Sequence, residues 1–182
     1  MSMRNLVSVS LATVLAIAGA SGLTGCASPA SRESMQAASV TPANKHPYSV
    51  SVRTAGGNET GALDTPSIAD ADFKAAIEKS IVQSGVFKSV IEGKGSDYEL
   101  SVTITQITKP LFGFSFTVTM EAAWSLVKAS DRSIVMRKAI QSSYTANMSD
   151  SFAGVTRLRL AVEGAARENI ASGLKEISSL SF

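Results

Sequence analysis

Chemistry has few places to start in this chain. Cys26 is its one thiol and His46 its one imidazole. A Ser-His-Asp or Cys-His arrangement would have to be built on His46, which stands at the margin of a Ser-, Pro- and Asn-containing stretch and reads as an exposed linker residue. Zinc sites draw on clustered Cys and His, which the sequence lacks. Asp64, Asp70 and Asp72 could surround a cation, but helix capping and first-turn placement account for the latter two more simply. Gly93-Lys94-Gly95-Ser96 looks like a phosphate loop only in part. Lys88 occupies the place of the motif's first Gly and Gly95 that of its Ser or Thr, so the stretch reads as a turn. No catalytic set, metal set or cofactor site follows, and an enzyme is not expected.

What remains is Cys26 itself. It follows Leu23-Thr24-Gly25 at the end of an apolar run from Leu6 to Ala20, with Arg4 ahead of the run. A single Cys cannot form an internal disulfide. The run's length suits a signal-peptide core, whereas a bilayer-crossing helix wants about 20 apolar residues. It decays into Gly19, Ala20, Ser21 and Gly22, which a peptidase groove can accept.

The order of basic start, apolar core and Leu23-Thr24-Gly25-Cys26 resembles the lipobox signal of bacterial lipoproteins. The resemblance implies cleavage between Gly25 and Cys26, acylation of Cys26 as the mature first residue, and the membrane as a partner. Each buried methylene contributes about 0.8 kcal/mol, so several acyl chains together would release very slowly. Ala27 and Ser28 stand where the family's inner-membrane retention signal most often begins with Asp. By resemblance the destination is the outer membrane, with the domain in the periplasm.

Composition narrows the rest. Only 18% of residues are charged and the formal net charge is +2, against a usual charged share near 25%. A nucleic-acid binder normally carries a basic patch or stripe, and none is visible. The chain divides into residues 1–25 as signal peptide, 26–46 as lipidated Cys and flexible tether, and 47–182 as a single domain.

Within that domain Tyr48, Val50 and Val52 alternate with polar residues as in a half-buried strand. Phe73, Ala76, Ile77, Ser80, Ile81 and Ser84 recur on one side of a helix that Gly85 ends, with start chemistry at Pro66-Ser67 and Asp70. Val86 to Ile91 reads as either a short strand or a helix exit. Tyr98 to Thr105 alternates, and Phe114 to Leu126 alternates longest of all. Thirteen residues at about 3.3 Å each reach roughly 43 Å, so this central strand should bend or carry a bulge. Ile134, Met136, Ile140 and Tyr144 mark a further strand with Lys138 out of pattern. Val155 to Ile177 carries a helical stripe, and Arg159, Glu163 and Arg167 imply a solvated back. The expected fold is α+β: a two-layer sandwich of a mainly antiparallel sheet with two helices packed on one face.

Two features point to partner contact. Leu111 and Phe112 lie at a hairpin tip, where they either fold back on the core or meet a membrane or protein. Thr117 and Thr119 belong to a Ser- and Thr-rich sheet face that is either simply solvated or used to pair with another subunit. The element order is similar to that of the YajG-type outer-membrane lipoproteins and, less closely, to the auxiliary lipoproteins of ABC-type lipid-export systems. These resemblances imply a non-catalytic interaction or envelope-assembly module with an envelope protein partner, and leave homo-oligomers open. The alternative is a lipid or small-ligand carrier using a gap lined by Phe114, Phe116, Trp124 and Leu158.

Overall fold

Period-two alternation at Val50 and Val52, at Leu100, Val102 and Ile104, and from Phe116 to Leu126 supplies one apolar face, and the strands join so that this face is continuous. In a computed structural model, which describes residues 27–61 and 64–182, they form a five-stranded sheet. The strands are β1 (His46–Ala55), β2 (Phe87–Val90), β3 (Tyr98–Thr108), β4 (Phe116–Lys128) and β5 (Ile134–Ala146), in the order β2-β1-β3-β4-β5. The lipidation stretch with Gly25 and Cys26 lies outside the described residues.

β3, β4 and β5 make the expected antiparallel meander, while β1 pairs in parallel with both β2 and β3. Helix α1 (Asp70–Ser84) is the crossover between β1 and β2, and α2 (Gly154–Ser178) returns along the meander. α1 packs on β1 and β2, α2 on β4 and β5, and the two helices meet on that one face. The fold is therefore α+β, and among the described residues the sheet's other face is uncovered. The long strand β4 itself takes no extra residue; the register breaks of its two ladders place one in each neighbour, Thr105 of β3 between Ile104 and Gln106, and Val135 of β5 opposite Leu126 and Val127. Val86 to Ile91 resolves into the strand β2.

Gly85 ends α1 in the left-handed conformation, its N–H donating to Ile81 O. At the start Asp70 and Asp72 stand in the first turn as expected, but the cap differs. Ala69 is the cap and makes no side-chain cap bond, while the Asp70 carboxylate accepts from Gly57 N at 2.8 Å and so closes the loop after β1. Lys138 breaks the apolar pattern of β5 because it pairs with Glu176 of α2 at 2.7 Å. The core is closed around Trp124, Phe73, Ile77, Leu100, Met120 and Ile170, all fully buried.

The largest departure lies ahead of β1. The composition of residues 27–46 predicts a flexible tether, yet Ala30, Met35 and Ala37 are buried. The Ser31 amide donates to Glu163 and Arg167 donates to Ser34 O, both on α2, while the Ala37 amide donates to Ser80 of α1. Asn44 then reaches Ser178 O at the far end of α2. This segment is a strap along the helical layer, with fully buried Met35 between its attachments to the two helices. It corrects two expectations together. Glu163 is buried beneath the strap rather than solvated, and the domain begins near Ala30 rather than at residue 47.

His46 is likewise not an exposed linker residue. It is buried at the start of β1, 3.1 Å from Ile177 O, and stacks on Phe182 with ring centroids 4.1 Å apart. Tyr48, Phe87 and Tyr98 complete an aromatic cluster around Phe182.

Asp97 ties β1 to the start of β3. Its carboxylate accepts from Ser49 N at 2.8 Å and Ser49 Oγ at 2.7 Å, and these bonds, backbone first, hold it below its ordinary value of 3.8 despite some desolvation. A depressed folded-state value contributes stability that is complete above the unfolded value, near 4, and is lost as pH falls through the folded one. Asp97→Asn is therefore expected to lower the urea midpoint at neutral pH and to flatten its decline below about pH 4. Parallel acid limbs for the two proteins would refute this assignment.

Candidate functional site

The strands and helices have two ends, and one of them gathers most of the chain's unexplained features. β1 finishes there, as does β3, with Lys109 to Ser115 turning back into β4. β5 finishes beside the start of β4, Ala146 opposite Phe116, and residues 147–153 lead from it into α2. The strap starts at this end too. Ala30 N donates to Ser67 O at 3.0 Å, and the neighbouring Pro66 O accepts from Lys109 Nζ at 3.0 Å. Two hydrogen bonds thus link the start of the strap at Ala30 to the base of the hairpin tip.

The tip does not fold back. Leu111 is 90% exposed, Phe112 86%, Phe114 82%, and Phe152 in the adjacent loop 87%. Met148 and Val155 are exposed beside them. The sequence points to Leu111 and Phe112 but misplaces Phe114, read as the first inward residue of the long strand. Gly113 takes φ +149, a conformation L side chains rarely adopt, and the strand starts only at Phe116. Phe152 was missed because it precedes the stripe of α2. Its one signal is a large apolar residue set alone between Ser151 and Ala153.

Arg157 fixes that loop. Its guanidinium donates to Ser151 O and Phe152 O, both at 2.8 Å, and lies over the Phe116 ring at 5.4 Å. Lys109 is partly buried, and desolvation first of all pulls its ammonium below the usual lysine value. Both cations thereby donate to backbone carbonyls of the fold itself, and the side chains left bare at this end are the apolar ones.

Thr117 and Thr119 lie apart from the tip, on the uncovered sheet face. Thr117 Oγ1 is 2.8 Å from Thr145 Oγ1 across the pair, and Thr119 stands opposite Ser143. Ser101 opposite Ser125 extends the same surface. Charge concentrates at its other end, where Glu99 accepts from Arg132 at 2.7 Å and that bond, with Arg53 nearby, lowers the Glu99 carboxyl below its ordinary value.

The residues expected to line a ligand gap do not share one. Phe114 is outside at the tip, while Phe116, Trp124 and Leu158 are packed into the closed core. Asp64, Asp70 and Asp72 each turn to a separate partner, respectively Gly61 N, Gly57 N and Arg32. No group of three or more metal-ligating side chains occurs among the described residues. No helix among them is long and apolar enough to cross a membrane.

No protein-family model matches this chain, and no curated protein matches its sequence. Solved structures do. The protein XCC0632 of Xanthomonas campestris, described under the family model DUF330, superposes with a TM-score of 0.59 at 16% identity, covering 75% of this chain and 89% of that one. A single-residue variant of the PelC dodecamer of Paraburkholderia phytofirmans gives 0.50 at 15% identity over 78% and 92%. CT253 of Chlamydia trachomatis gives 0.50 at 10% identity over 73% and 93%. The likeness is one of fold.

Proposed function

We propose that this protein is a lipid-anchored, non-catalytic module of the bacterial envelope, held at the outer membrane through acylated Cys26 and offering its uncovered sheet face to a protein partner. The observation that carries the reading is the placement of Cys26, at the end of the lipobox-like stretch and four positions before Ala30, the first buried residue among those described. Thr117, Thr119, Ser143 and Thr145 give the face its polar, sparsely charged character, and β5 borders it as a long edge strand. PelC is a dodecamer. Self-association is accordingly the first partnership to test.

Two measurements on cells producing the full chain decide the matter. Mass spectrometry of the mature N-terminus is expected to find acylated Cys26, and a photo-crosslinker at Thr117 to give a discrete adduct, with itself or another envelope protein. A freely soluble mature protein with an unmodified first residue would refute the anchor. Absence of any adduct from both Thr117 and Thr119 would refute the partner face.

A further inference from the structure

The bare apolar end and the origin of the strap coincide, and this coincidence goes beyond anchoring. Four large apolar side chains, Leu111, Phe112, Phe114 and Phe152, are more than four-fifths exposed on two adjacent loops. A soluble surface rarely leaves such a group bare without something to cover it. Three features determine what that cover is. The strap fixes where the chain comes from, because the Ala30–Ser67 and Lys109–Pro66 hydrogen bonds hold residue 30 beside the base of the tip. From Cys26 to Ala30 an extended chain spans at most about 14 Å, so a lipid on Cys26 keeps this end, and not the opposite one, against the bilayer. The loops are also held in shape rather than left to collapse, by Gly113 at φ +149 and by Arg157 bonded to Ser151 O and Phe152 O.

We propose that this end is a second, non-covalent membrane contact, in which Leu111, Phe112, Phe114 and Phe152 seat in the outer part of a phospholipid bilayer beside the acyl anchor. The inference rests on the anchored reading for its orientation, but the contact itself is made by side chains. Each apolar side chain moved from water into the acyl boundary strengthens partition by roughly tenfold. Lys109 and Arg157 donate to carbonyls of the fold itself, and Asp150 accepts from Asn147 N within the loop, so the contact is argued from the apolar side chains and not from these polar groups. The uncovered sheet face then stands beside the membrane rather than on it, free for a partner. The opposite end, with the Ser130 turn, points away.

The test uses the full chain, purified in its mature form and reconstituted into vesicles of phosphatidylcholine brominated in its acyl chains. Phe112→Trp and Ser130→Trp each add one indole to a protein whose own Trp124 is fully buried; both sites are exposed, and circular dichroism checks the fold. The Phe112→Trp indole is expected to lose about half of its emission, as a group some 5–10 Å deep would, and the Ser130→Trp indole none. Phe114→Ser with Phe152→Ser should weaken that quenching. Equal emission from Phe112→Trp in brominated and ordinary vesicles overturns the proposal. So does an indole shielded from aqueous quencher yet untouched by bromine, the mark of a second protein on the tip. The mass of the N-terminal peptide, read on the same samples, separates the two ideas. Quenching without acylation upholds the apolar contact and sinks the anchor, whereas acylation without quenching does the reverse.

Discussion

Gly173→Ala is expected to destabilise the domain by about 1–3 kcal/mol, although the same change in a helix interior ordinarily gains about 0.5–1 kcal/mol. Gly173 lies where α2 crosses Trp124. A Cβ there would fall 2.5 Å from Cη2 and Cζ2 of the indole and 2.6 Å from Cε2, well inside contact distance. The ring has nowhere to go. It is fully buried, and its Nε1 donates to Asn169 Oδ1 at 2.9 Å, one turn back on the same helix. Gly164→Ala makes the comparison, since its Cβ would fall 2.2 Å from the Tyr144 ring. Tyr144 sits on the edge strand and is only half-buried, so it can swing outward and the loss should be smaller. Urea midpoints for the two variants check the order. A Gly173→Ala protein as stable as the parent would mean that the helix and sheet can separate here at little cost.

The second large effect belongs to Asn169. Its Oδ1 accepts from the Trp124 indole and its Nδ2 donates to Ile140 O at 2.8 Å, so one fully buried amide joins α2 to both β4 and β5. Asn169→Leu keeps the volume but strands the indole N–H and the carbonyl in an apolar core. At about 1–3 kcal/mol for each of the two buried groups left unpaired, the expected loss is about 2–6 kcal/mol. Trp124→Phe removes the donor beforehand. In that background Asn169→Leu should cost less by about 0.5–3 kcal/mol, the coupling of residues that share a bond. Strict additivity across the four proteins would show that the hydrogen bond carries no stability.

The strands and both helices were legible in the sequence because their periods are local, even where their neighbours, as for β1 beside β3, lie far along the chain. Leu100, Val102 and Ile104 bury every second side chain, and Ile170, Leu174 and Ile177 every third or fourth, and such periods survive without knowledge of what lies opposite. The strap had no such signal. Ala30, Met35 and Ala37 follow neither period, and their burial depends on Glu163, Arg167 and Ser80, far along the sequence. His46 fails for the same reason, its cover coming from Phe182 and Ile177. At the candidate site the types of Leu111 and Phe112 were readable and their exposure was not. Alternation through Phe114 overran the strand because a side-chain pattern carries no record of the backbone angle at Gly113.

The strap also gives the molecule a mechanical direction. Tension drawn along the helices from residue 27 loads the bonds at Ala30, Ser31, Ser34 and Ala37 together with the seat of Met35, and must shear them as a group. A sideways pull meets the same attachments one by one and peels them. Once they yield, β1 and the sheet remain intact, and the freed residues 27–45 can extend to on the order of 60 Å at about 3.3 Å per residue.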